Sequence, residues 1–158
     1  MKPLPTPPKI TTPAEREIRI ERVFDAPRER VWQAMTDPAL LAQWWGRGNQ
    51  LTIERYEFTR GGHWRFVEHT EDGDFGFEGR FREIRPPEHL EQTFDFDGTP
   101  GHVVVNVTVL EDLGGRTRLV TRSLFQTSED RDGMMQAGME GGIGESYAAL
   151  DRVLAALG

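Results

Sequence analysis

From Ile18 the chain alternates, with Ile18, Ile20 and Phe24 on one side and Arg19, Glu21 and Val23 on the other. A period of two over this length predicts a first strand. Arg22 stands on the apolar side of that strand. Pro27 suits the first turn of a helix, where its missing N–H costs nothing, and the helix should run to about Met35, burying Val31, Trp32 and Met35. Asp37-Pro38 repeats the arrangement, with Asp37 as cap and Pro38 just inside. A second short helix then carries Leu40, Leu41, Trp44 and Trp45 and stops at Gly46.

Between Gln50 and Phe125 the pattern predicts strands over Leu51–Phe58, His63–His69, Phe75–Arg85, His89–Phe96, Val103–Leu110 and Thr117–Phe125. Gly61-Gly62, Asp72-Gly73, Pro86-Pro87, Asp97-Gly98 and Gly114-Gly115 separate them as turns. Connections this short imply an antiparallel meander. Thr127 and Asp130 have the spacing of a capping box. Beyond them Met135, Met139, Ile143, Tyr147, Leu150, Leu154 and Leu157 form one stripe at helical spacing, predicting a single long amphipathic helix. A sheet with one apolar face and such a helix must bury those faces against each other, an α+β arrangement.

Residues 1–14 carry five prolines and little to bury, so they are expected to form a flexible tail ahead of a single domain over 15–158. The 158 residues contain no cysteine, which removes disulfides, thiolate nucleophiles and cysteine-held zinc. With no basic-then-apolar start and no run of about 18 apolar residues, the sequence points to a cytoplasmic protein without a membrane span. There are 19 basic and 26 acidic residues, a net charge of −7, and the basic ones are scattered. Nucleic acid is therefore not an expected partner. Four Trp and nine Phe supply large apolar bodies for a core or a cavity lining.

Phe24-Asp25-Ala26-Pro27, Val31-Trp32, Thr36-Asp37-Pro38 and Trp44-Trp45-Gly46 resemble the opening of the START-like, or SRPBCC, superfamily. They are most similar to its bacterial branch related to the heat-shock-protein-90 ATPase activator homologue. Gly61-Gly62, Gly79, Pro86-Pro87 and the stretch from Gly138 through Glu145-Ser146-Tyr147 to Leu150 fit the same branch. The resemblance implies a helix-grip fold: a curved antiparallel sheet wrapped around a long C-terminal helix, with two short helices after the first strand. It also implies a cavity in which relatives hold lipids, sterols, hormones or polyketides, some acting as cyclases. The eukaryotic namesake pairs such a domain with a second and stimulates a chaperone ATPase. No second domain is evident here, so a chaperone partner is not the favoured expectation.

Parity places Ile18, Ile20, Arg22 and Phe24 on the inward face, with Trp64, Phe66 and Glu68, then Phe77, Phe81 and Glu83. Leu90, Gln92, Phe94 and Phe96 follow, then Val105, Val107 and Val109, and finally Leu119, Thr121 and Ser123. Such a wall, apolar with a few polar groups, suits a small-molecule pocket; a filled core is the alternative. Arg22 needs a buried partner, and Glu68 and Glu83 share its face, which favours a structural ion pair; anchoring a ligand's acid is the alternative. Of Trp44 and Trp45, one is expected in the core and the other at the cavity mouth. Met134, Met135 and Met139 either fill core or form an adaptable lid. The expected pocket residues are Arg22, Trp45, Trp64, Phe66, Glu68, Phe81, Glu83, Phe94, Thr121, Met135 and Met139.

The four histidines show no ligand spacing, so no metal is expected, and no motif calls for a cofactor. No serine elbow or triad context exists, which leaves the catalytic residues unknown. Gly138, Gly141, Gly142 and Gly144 do not make a dinucleotide loop. At about 1 kcal/mol each they weaken the helix, so either close packing or a bend that gates the cavity should offset them. The leading expectation is binding of an apolar or amphipathic small molecule. An enzyme using Glu68 or Glu83 as acid or base comes second.

Overall fold

The computed structural model describes residues 7–158. Strands β1 (Lys9–Ala14) and β2 (Glu17–Phe24) lead to helices α1 (Arg28–Thr36) and α2 (Pro38–Leu41). Six strands follow: β3 (Gln50–Tyr56), β4 (His63–Thr70), β5 (Gly73–Arg85), β6 (His89–Phe96), β7 (Val104–Asp112) and β8 (Thr117–Leu124). Helices α3 (Ser128–Gln136) and α4 (Met139–Leu157) close the chain. The strands form one antiparallel sheet of eight in the order β1-β2-β8-β7-β6-β5-β4-β3. The meander β3 to β8 thus curls until β8 meets β2, and α1 and α2 carry the chain across to the far edge. This is the helix-grip arrangement, α+β in class.

Local chemistry sets these boundaries. The Asp37 carboxylate accepts from the Ala39 N–H at 3.0 Å, with Pro38 at the first helical position. Thr127 caps α3 by accepting from the Asp130 N–H at 3.0 Å. The Thr117 hydroxyl donates to the Ala26 carbonyl at 2.7 Å, fixing the start of β8 against the entry to α1. Ile18, Phe24, Val31, Leu119 and Leu150 are buried at the centre of the core.

Four expectations need correction. The flexible tail does not extend to residue 14, because Lys9–Ala14 pairs along β2, with Ile10 opposite Ile20. Its proline is tolerated at an irregular stretch of an edge strand; residues 1–6 lie outside the described ones. The C-terminal helix is two helices, since Gly138 at φ 82° turns left-handed between α3 and α4.

The other two corrections concern parity. A bulge between Phe81 and Glu83 leaves two residues instead of one between the inward positions Phe81 and Ile84, so Ile84 opposes Leu90 and Glu83 turns outward. In β7 the inward line is Val104, Asn106, Thr108 and Leu110, the first three directly opposite Phe94, Gln92 and Leu90 on β6. Val105, Val107 and Val109 face outward, and Val109 is 40% exposed.

Candidate ligand cavity

The sheet and α4 are in full contact only over part of their length. From Tyr147 onward α4 buries Tyr147, Ala149, Leu150, Val153 and Leu154, whereas Met139–Ser146 contains no buried residue. Beneath that first half lies a cavity of about 350 Å³, within the range of small-molecule sites. Its roof is Met134 of α3 with Met139, Gly142, Ile143, Ser146 and Tyr147 of α4, and no residue beyond Tyr147 reaches it.

One wall is aromatic. Trp45 meets Phe66 and Phe77 edge-on at centroid separations of 5.2 and 5.1 Å, and Phe77 lies 5.4 Å from Phe94. Trp64 is fully buried behind them, and Tyr56 meets Phe81 at 5.6 Å. The Tyr56 hydroxyl donates to the Thr36 carbonyl at 2.7 Å, and burial holds its phenol well above the ordinary range. Trp44, buried and donating to the Ala34 carbonyl at 2.9 Å, also reaches the wall.

The opposite wall is polar within an apolar frame. Gln92, Asn106 and Ser123 occupy one row across β6, β7 and β8, and Thr108 and Thr121 the next. Ser123 donates to Asn106 Oδ1 at 2.7 Å, and the hydroxyls of Thr108 and Thr121 are 3.1 Å apart. Burial pushes the Tyr147 phenol up to about 12, although a hydrogen bond with Thr121 and the positive charge of Arg22 act the other way.

At the mouth, Gly46, Arg47 and Gly48 all take positive φ, of 86°, 62° and 81°. Arg47 is the one non-glycine so placed among the described residues. This turn lays Arg47 across the opening. Its Nε and Nη2 donate to the Glu68 carboxylate at 3.1 and 3.2 Å, and Asn49 Nδ2 donates to the same group at 2.9 Å. The Glu68 side chain is 4% exposed and that of Arg47 43%. The buried acid raises the Arg47 pKa, chiefly through its hydrogen bonds. Arg47 N–H donates to the Ser146 hydroxyl at 3.0 Å, tying the turn to α4. A Cβ on Gly142 would stand 3.1 Å from Arg47 Cδ. That glycine therefore gives Arg47 room, and the close packing on the sheet expected for the glycine run is not what it serves.

Of the residues expected in a pocket, Trp45, Trp64, Phe66, Glu68, Phe81, Phe94, Thr121 and Met139 stand on the cavity wall. Met135 packs against the core beside it, and its neighbour Met134 takes the lining position. Glu83 lies outside, 3.1 Å from Arg85 and 3.9 Å from His89. Arg22 is not on the wall either. It makes a two-pronged pair with Asp151 of α4, at 2.7 and 2.6 Å, and its guanidinium sits 4.5 Å above the Phe24 ring. Neither Glu68 nor Glu83 is its carboxylate partner, because Asp151 comes down from the polar flank of the helical stripe. The reversed parity of β7 hid Asn106 and Thr108; the polar character of positions facing a hollow was the signal that could have found them. Among the described residues no group of three or more acidic or histidine side chains assembles as a metal site, and no helix is long and apolar enough to cross a membrane.

A curved sheet gripping a C-terminal helix around an internal hollow defines the SRPBCC, or START-like, class. Within it, the chain belongs to the family described as activator of Hsp90 ATPase homolog 1-like protein, whose pattern matches residues 25–155. A protein of Rhodobacter sphaeroides is 30% identical, with a TM-score of 0.87 over 96% of this chain and 99% of that one. One from Arthrobacter aurescens is 32% identical, with a TM-score of 0.84 over 93% and 91%. DynU16, from the dynemicin biosynthetic locus, shares the fold at 24% identity, with a TM-score of 0.68 over 89% of this chain and 47% of its own. No curated protein matches the sequence.

Proposed function

We propose that this protein binds one apolar or amphipathic small molecule between its sheet and the first half of α4. The observation that supports this most is the cavity of about 350 Å³, walled by Trp45, Phe66, Phe77 and Phe94 and roofed mainly by the half-buried first turns of α4. Removing a ligand's apolar surface from water there would supply about 25 cal/mol per Å². Binding is favoured over acid–base chemistry because Glu68, the one carboxylate on the wall among the described residues, is already held by Arg47 and Asn49.

The test is a fluorescence titration with the neutral dye N-phenylnaphthylamine. One site of about micromolar strength, roughly −8 kcal/mol, is expected. Ile143→Trp fills the hollow and should abolish the signal, while Val109→Phe on the outer face should leave it intact. Dye that binds both variants alike, in protein that stays folded, would overturn the reading.

A further inference from the structure

The polar wall carries more than its own structure uses. Gln92 and Asn106 are directly paired across β6 and β7, face inward and line the cavity, and neither is fully buried. Ser123 donates to Asn106 Oδ1, and among the described residues the Asn106 Nδ2 group donates to no side chain. Among the described residues the Gln92 amide makes no side-chain hydrogen bond. A strand position over an apolar hollow normally takes an apolar residue, and a polar group there loses its water when a ligand fills the hollow unless that ligand supplies a partner. Two adjacent amides with spare donors, opposite an aromatic wall, are explained if a bound molecule brings them an acceptor.

Charge limits what that acceptor is. Arg47, the cavity's guanidinium, is already engaged by Glu68, so a ligand acid would have to compete with a buried carboxylate for it. The inner wall is neutral: Gln92, Asn106, Thr108, Thr121 and Ser123. Resting on the small-molecule reading above, we infer that Gln92 and Asn106 form a subsite for a carbonyl oxygen. The ligand class is then a neutral, ring-bearing molecule whose carbonyl is read by the two amides while its body lies against Trp45 and Phe77.

Displacement of N-phenylnaphthylamine by fluorenone and by fluorene isolates the carbonyl, since the two differ in little else. Fluorenone should displace the dye about tenfold more effectively, as one or two extra hydrogen bonds predict. In Asn106→Leu, and separately in Gln92→Leu, the preference should fall to near parity while fluorene keeps or gains affinity. Equal binding of both compounds to the unaltered protein would overturn the subsite and leave the cavity reading standing. A preference that survives both substitutions would do the same. Failure of the dye and both compounds to enter would defeat the cavity reading, and the subsite with it.

Discussion

The two halves of α4 lie over one sheet but meet it differently. After Tyr147 the helix is a core element, with Leu150 fully buried and Asp151 locked to Arg22. Before Tyr147 it is a roof, rich in glycine, held at its rim by Ser146 and Arg47. Beside each half lies an ion pair with one buried member, and the sign is opposite. The buried member is the cation in the core half, where the Arg22 side chain is 5% exposed and Asp151 28%. At the mouth it is the anion, Glu68 at 4% against Arg47 at 43%. The core contacts and the proposed binding site thereby fall on different stretches of the same helix.

The largest expected effects fall in the core half. Asp151→Asn removes the two-pronged carboxylate partner of the buried Arg22 and should cost up to about 3–5 kcal/mol. Arg22→Met strands the less buried member and should cost less, and Arg22→Met with Asp151→Asn should recover much of the loss. Leu150→Ala should cost about 2–5 kcal/mol by opening a cavity, against about 1 kcal/mol for Ile143→Ala over the existing hollow. Denaturant melts of these variants measure the contrast. Equal costs at Leu150 and Ile143 would erase the distinction between the halves.

Tyr147 stands at the boundary, and its titration sharpens the comparison. Burial raises its folded-state pKa from 10.0 to about 12. The fold thus favours the protonated phenol, and the contribution is complete below pH 10 and lost as pH climbs toward 12, because the unfolded chain releases the proton first. Stability should fall by up to about 2–3 kcal/mol across that window, and Tyr147→Phe should flatten the fall. With Tyr56 also raised, neither of the two tyrosines should ionise at pH 10 in an absorbance titration of the folded protein.

The smallest effects lie in the glycines of the roof. A Cβ on Gly141 or Gly144 meets nothing within 4 Å, so each change to alanine should stabilise by roughly 0.5–1 kcal/mol. Gly138→Ala should instead destabilise by about 1–2 kcal/mol, because its φ of 82° suits glycine. Thermal melts of the three variants give the signs directly.

Much of this architecture is legible in the sequence where local rules act without competition. Ile18, Ile20 and Phe24 mark β2, Asp37-Pro38 and Thr127 mark helix starts, and paired glycines mark the turns. The same alternation misled in β7, because Val105, Val107 and Val109 form a regular apolar line on the outer face while Asn106 and Thr108 face the hollow. A parity rule assumes that inward means packed against other side chains. Glu83 was displaced by a single bulged residue, which no local composition announces. Asp151 lies 129 residues from Arg22, and a helix stripe read for its apolar members does not reveal which polar flank meets the sheet. The glycine cluster marks a weak or bent stretch in the sequence, but it does not announce that the chain breaks into two helices at Gly138. Of the cavity, the aromatic wall could be read from the strands, whereas the amide row and the Arg47 turn depend on register and on left-handed backbone.

The most direct test of the division between core and hollow is chemical-shift mapping of the folded protein with fluorenone added in steps. Saturable shifts are expected at Phe77, Gln92, Asn106, Thr121 and Ile143. None is expected at Val153 in the core half of α4 or at Val23 and Val109 on the outer face. Shifts confined to the outer face, or spread evenly along α4 from Met139 to Leu157, would contradict the account.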